Sequence, residues 1–306
     1  MSLDNLIEGI VRTNNPTVLG LDPNLDFIPD CIKRDVYGKL GKTFEGAAYA
    51  AYTFNRGLID ATYDIVPAIK PQCAYYEQLG WQGIKVLQMT ISYAKQKGMF
   101  VIADGKRNDI GSTMTAYSNA YLGETDIDGE QMRAFEADAL TVNGYLGSDG
   151  IMPALVNCQN KGIFVLVKTS NPSSGELQDK AIDSETVYEA MGNMCEVWGA
   201  KCMGKYGYSS VGAVVGATYP QQLAELRKKL PSTFFLVPGY GFQGGGAKDI
   251  AGAFDDRGIG AVINSSRAIM CAYKKDGYSD SEYKEAARDE AIRMRDDINA
   301  AIENRK

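Results

Sequence analysis

The sequence contains no histidine. That absence excludes Ser-His-Asp and Cys-His nucleophilic catalysis, histidine-ligated zinc and any imidazole general base. An enzyme made from this chain must take its acids and bases from lysine, carboxylate, tyrosine or cysteine. Positive charge is also in deficit. Thirty-two lysines and arginines face 38 acids, for a net charge of −6 and a pI near 5.0. This balance argues against a broad basic surface for nucleic acid, while a local basic pocket stays open. No apolar run approaches the ~20 residues that span a bilayer. The first fifteen residues are polar with early acids and do not read as a signal peptide. The cysteines, Cys31, Cys73, Cys158, Cys195, Cys202 and Cys271, include no C-x-x-C pair. They read as reduced thiols in a cytosolic protein, not as a redox motif or disulfide framework.

What is present is a recurring unit. Short apolar, β-rich runs fall at 17–22 (TVLGLD), 65–71 (IVPAIKP), 100–105 (FVIADG) and 139–142 (ALTV). They continue at 162–168 (GIFVLVK), 211–216 (VGAVVG), 234–238 (FFLVP) and 261–265 (AVINS). Apolar character on both faces is what a parallel sheet covered by helices requires. Apolar residues at helical spacing predict helices over 44–63, 83–97, 184–206 and 219–230. Ser279-x-x-Glu282 predicts a capping box ahead of a last helix reaching about 303. Eight such units over about 250 residues are the size of one (β/α)8 TIM barrel, here spanning 1–306 as a single domain. A doubly wound open sheet is the rival. Polar stretches at 23–43 and 123–137 read as insertions after strand 1 and before strand 4.

In such a barrel the chemistry sits where strands end. Strand 1 ends at Asp22, strand 2 carries Lys70, and strand 3 runs into Asp104-Gly-Lys106-Arg-Asn-Asp109. Asp104 and Lys106 lie two residues apart, in phase with an inward Ile102. Alternating charges in a confined site hold one another ionised. The bland reading is a charge network that only fixes loops. After strand 7, GYGFQGGG offers backbone N–H groups to an anion, and Arg267 directly follows strand 8. A flexible glycine loop and a surface arginine are the plain alternative. Lys168 ends strand 5 and reads as a strand-end salt bridge in preference to a Schiff-base lysine. Trp81 and Trp198 read as packing residues, and Arg227-Lys228-Lys229 as a solvated helix end.

DGKRNDIGST (104–113) resembles the D-x-K-x-x-D-I-x-x-T signature of the orotidine 5′-phosphate decarboxylase family. LGLDP, AIKP, TSNP, VPGYGFQGG and NSSR extend the resemblance in order over nearly the whole chain. D-x-K-x-x-D alone is shared with related barrel enzymes, whereas the full set is far more specific. The length and the insertions look like the longer branch of the family. The resemblance implies decarboxylation of orotidine 5′-monophosphate to uridine 5′-monophosphate, with no cofactor and no metal. It implies Lys106 as the acid at pyrimidine C6 and Asp104 beside the departing carboxylate. Lys70 and Asp22 would hold the ribose hydroxyls. Asp109, with Ile110 and Thr113, would enter a neighbouring subunit's site in a homodimer, and Ser170 would meet the pyrimidine. Gln243 and Arg267 would bind phosphate, with backbone groups near Gly241 and Ser266.

Two other functions are weighed beside it. Magnesium-dependent sugar-phosphate enzymes of the same suprafamily share D-x-K-x-x-D but carry an acid on strand 2, where this chain has Lys70. A lysine there opposes the oxygen ligands that magnesium needs. A catalytically silent nucleotide-binding barrel is the other, since fold alone does not determine function. An orotate phosphoribosyltransferase, if it associates, is expected to be a separate polypeptide.

Overall fold

A computed structural model describes residues 2–157, 160–241 and 246–305. The eight expected runs form eight parallel strands. They are β1 (Thr17–Leu21), β2 (Ala68–Pro71), β3 (Phe100–Arg107), β4 (Ala139–Val142), β5 (Gly162–Lys168), β6 (Val211–Val215), β7 (Phe235–Val237) and β8 (Ala261–Ser265). Each strand lies beside its sequence neighbours, and β8 pairs with β1 through Thr17↔Ile263 and Leu19↔Ser265. The sheet is therefore a closed (β/α)8 barrel and not an open one.

Period-two alternation divides the apolar residues between two cores. Val18, Ala68, Ile102, Ala139, Phe164, Leu236 and Val262 fill the barrel interior. Leu19, Ile69, Val101, Leu140, Val165, Val237 and Ile263 face the surrounding helices. The N-terminal segment departs from its polar reading. Ser2–Thr13 is a helix whose Leu3, Leu6, Ile7 and Ile10 recur at helical spacing and bury among the interior barrel residues. The stripe is narrow, so average polarity hides it. This helix closes the end of the barrel where the strands begin, leaving the opposite end for the site.

Both insertions are structured. Residues 23–43 contain the Asp30–Leu40 helix. Residues 123–137 contain an antiparallel hairpin, Thr125–Ile127 with Glu130–Met132. The Ser279–Glu282 capping box forms, and the last helix runs Tyr283–Glu303. The helix expected over 184–206 is shorter, Val187–Gly199: a Thr186–Glu189 capping box starts it late, and it ends ahead of the Met203–Ser209 bridge. Two surface readings need correction. Trp81 is 72% exposed, whereas Trp198 is buried as expected. Arg227 is buried and not solvated. It lies over the Phe235 ring and donates to the carbonyls of Gly260 and Leu230. Among the described residues no helix is long and apolar enough to cross a membrane.

Candidate active site

Three neighbouring strands end in phase. The inward alternation Val18-Gly20-Asp22, Ala68-Lys70-Gln72 and Ile102-Asp104-Lys106 turns from apolar to charged at the C-terminal mouth. The mouth opens into a cavity of about 740 Å³ that includes Asp22, Lys70, Asp104, Lys106, Ser170, Ser266 and Arg267 in its wall.

Asp104 is the hub. Its Oδ2 accepts from Lys70 Nζ at 2.6 Å and from Gln72 Nε2 at 2.8 Å. Its Oδ1 accepts from Lys106 Nζ at 2.7 Å and from Thr141 Oγ1 at 2.8 Å. Burial pushes its carboxyl up, but Lys70 and Lys106 outweigh burial and hold it far below the ordinary carboxylate range. Burial likewise presses Lys70 down, and Asp104 and Asp22 more than reverse it, leaving Lys70 above its usual value. Both groups are therefore charged at neutral pH.

The strand bulges to make this arrangement. Ala103 pairs with Leu140, but the next partner of β4 is Arg107 with Val142. Lys106 at the bulge has φ +48°. A left-handed lysine costs about 1–3 kcal/mol. Its N–H is met by Thr141 Oγ1 at 3.0 Å, which anchors the conformation. Lys106 remains 45% exposed at its side chain, against 5% for Lys70. One lysine is thus a buried counter-ion and the other faces the cavity.

Asp22 behaves oppositely to Asp104. Burial raises its carboxyl, and the Lys70 charge and a Ser266 hydrogen bond only partly offset this. Its Oδ1 is buried without a hydrogen-bond partner among the described residues, as is Asn264 Oδ1. A raised carboxyl makes the ionised form a burden on the fold at neutral pH, relieved as pH falls through the folded value. Asp22→Asn is accordingly expected to raise Tm at pH 7 by about 2 °C. The gap should close as pH falls through the raised folded value, where the native Asp22 takes up its own proton. Thermal melts of both proteins across pH check this. An Asn variant less stable at pH 7 would contradict it.

The remaining candidates fall in two groups. Ser170 and Ser266 are half-buried, and Arg267 is exposed at the rim with its guanidinium 5.6 Å from the Phe27 ring. Glycine permits two of these placements. A Cβ on Gly20 would fall 1.9 Å from Ser266 Oγ, and one on Gly216 would fall 2.8 Å from Ser170 Cα. Gly241 is exposed with φ +79°, as a glycine loop after β7 requires. Gln243 lies outside the described residues. Asp109, Ile110 and Thr113 do not join this chain's own cavity wall. Asp109 Oδ1 accepts from the Ile110 N–H at 2.8 Å, and Ile110 and Thr113 are exposed at the start of the Gly111–Tyr121 helix.

Sequence reading missed Gln72 and Thr141, both on Asp104. The signal was there: each is a polar residue at an inward position of its strand's alternation. Lys168 forms its expected salt bridge, with Asp179 at 2.7 Å. Among the described residues no group of three or more acids or cysteines is placed to hold a metal.

The comparisons with known proteins agree with this geometry. A family model described as Orotidine 5′-phosphate decarboxylase / HUMPS family matches residues 56–277. The chain is 43% identical over 301 residues to the orotidine 5′-phosphate decarboxylase of Caldicellulosiruptor bescii, covering 98% of each. The solved OMP decarboxylase of Leishmania donovani superposes with a TM-score of 0.75 at 29% identity, covering 98% of each chain. The UMP synthase of the same organism gives 0.76 at 30% identity, with 98% of this chain matching 56% of that one. Family match, near-complete similarity and the charged mouth of the barrel converge: this chain belongs to the orotidine 5′-phosphate decarboxylase family.

Proposed function

We propose that the chain converts orotidine 5′-monophosphate to uridine 5′-monophosphate and carbon dioxide, with its own side chains as the only catalytic groups. The observation that carries this reading is the Lys70–Asp104–Lys106 chain, bonded at 2.6 and 2.7 Å at the cavity floor. Breaking the bond from C6 to the carboxylate leaves the electron pair on C6. The Lys106 ammonium stabilises that developing carbanion and then gives C6 its proton. Asp104 lies beside the departing carboxylate and, held ionised, keeps Lys106 oriented. Lys70 and Asp22 take the ribose hydroxyls, for which the unpartnered Asp22 Oδ1 supports an acceptor role. Ser170 meets the pyrimidine. Arg267 and Gln243, with backbone groups near Gly241 and Ser266, take the phosphate. Binding energy from that remote phosphate organises the site.

A homodimer in the cytosol completes the reading. Asp109, Ile110 and Thr113 sit outside the chain's own cavity; the Gly111–Tyr121 helix that follows packs on the Ser148–Leu155 helix, in and around which Tyr145, Met152 and Val156 are exposed. Apolar exposure around a charged loop suits a second copy that receives Asp109 in its ribose site. Lys70 Nζ occupies the edge of Asp104 that a magnesium ion would need, which weighs against the sugar-phosphate reaction.

The test is loss of the orotate ultraviolet chromophore on adding orotidine 5′-monophosphate, with and without excess chelator. Chelator-resistant loss supports the reading. Binding of uridine 5′-monophosphate without any loss would indicate a silent barrel, and a chelator-sensitive loss would indicate metal chemistry. A second arm mixes inactive Lys106→Ala with inactive Asp109→Ala. Random exchange leaves one intact site in half of the dimers, so about a quarter of the native activity should return. None returns if each chain supplies its whole site.

A further inference from the structure

The loop between β5 and the Val187–Gly199 helix supplies Thr169, Ser170, Asn171 and Gln178 to the cavity wall. Lys168 precedes them but turns away from the cavity. Its side chain is fully buried behind the loop. Nζ donates to Asp179 Oδ1 at 2.7 Å and to Ser174 Oγ at 3.2 Å. It lies 4.4 Å from the Tyr219 ring centroid and 5.6 Å from that of Tyr188. A buried ammonium is expensive unless it is paired, and here a carboxylate, a hydroxyl and two ring faces hold it.

The pair is connected to Ser170. Gln178, next to Asp179, accepts from the Thr169 N–H at 2.9 Å and donates to Thr169 Oγ1 at 2.7 Å. From the opposite side Thr218 Oγ1 donates to the Ser170 carbonyl at 3.3 Å. The Gly216 N–H donates to the Lys168 carbonyl at 2.8 Å. Both residues that precede Ser170 are thus tied down, and Lys168 links them to a loop segment eleven residues further along.

We propose that the buried Lys168–Asp179 pair is a positioning element that sets Ser170 against the bound pyrimidine, acting through Gln178 and Thr169. The inference rests on the orotidine-phosphate reading for the ligand that Ser170 meets. Neither member of the pair touches substrate. A contact whose worth depends on a fixed geometry loses it when its support loosens.

A double-mutant cycle on kcat/KM for orotidine 5′-monophosphate tests it, using Ser170→Ala, Asp179→Asn and both together. Asp179→Asn leaves the fully buried Lys168 ammonium facing an uncharged amide and is expected to cost stability, so the cycle is run well below the Tm of each variant. Each single change is expected to lower kcat/KM by about tenfold. The double variant should fall within about twofold of Ser170→Ala alone, because the pair acts through that serine. Losses that multiply to about a hundredfold would overturn the proposal, since a purely structural role gives independent effects. An unchanged Asp179→Asn enzyme would overturn it too. Lys168→Met, which keeps an unbranched chain between the two tyrosines, should show the same non-additivity. If the native protein leaves orotidine 5′-monophosphate intact, the activity reading fails separately. The cycle is then read on Kd for uridine 5′-monophosphate, where additivity overturns the positioning role and non-additivity supports it.

Discussion

Lys106→Ala is expected to reduce kcat for orotidine 5′-monophosphate by about 10³–10⁴-fold while the protein stays folded. Two contributions leave together. A positioned general acid is worth about 10²–10⁴. A preorganised charge at the developing carbanion is worth about 10²–10³. Both act through one nitrogen at one carbon, so the two factors are not simply multiplied. The fold should tolerate the change. The Lys106 side chain is 45% exposed, and water screens its attraction to Asp104. Asp104 keeps Lys70, Gln72 and Thr141 without it. Single-turnover kinetics beside a thermal melt give the answer. A variant that retains a tenth of native kcat would remove Lys106 from the chemistry.

Asp104→Asn is expected to damage stability as well as rate. It leaves the Lys70 ammonium 5% exposed and facing an uncharged amide. Removing one partner of a buried ion pair costs about 3–5 kcal/mol. Tm should fall by roughly 10 °C at pH 7. The sign of the pH dependence follows from the depressed carboxyl. Its folded value lies below the ordinary 3.8, so its stabilisation is complete above about pH 4 and is lost as pH falls further. The gap between native and variant Tm should therefore be constant from pH 7 to 5 and narrow below 4. Asp22→Asn should show the opposite sign on the same axis. Two carboxylates at the ends of the strands on either side of β2 are driven apart because Asp104 collects two ammonium groups and half-buried Asp22 keeps a buried, unpaired oxygen. Equal melts for native and Asp104→Asn at pH 7 would show that Lys70 finds another partner.

The barrel was legible because its signal is repeated. Eight apolar runs separated by helical spacing leave few topologies, and strand period two puts Asp104, Lys106 and Lys70 on the inner side. Thr141 and Gln72 carried the same signal more weakly, as single polar residues in phase with inward apolar ones. The Ser2–Thr13 helix was less legible, since Leu3, Leu6, Ile7 and Ile10 are diluted by polar neighbours. Arg227 and Trp81 went the wrong way because composition does not say which side of a helix meets a ring or water.

The sequence by itself determined the barrel, the strand ends that bear charge, and the family resemblance that names a substrate. These depend on local periodicity and on residue order, both of which are written in one dimension. Only the tertiary structure decided which oxygen of Asp104 meets which lysine, that Lys106 sits left-handed at a bulge, and that Asp22 is held protonation-prone while Asp104 is not. It also decided that Lys168 reaches Asp179 behind the loop that carries Ser170. Such facts depend on distances between strands and on the water each group loses, and charge interactions change steeply with both.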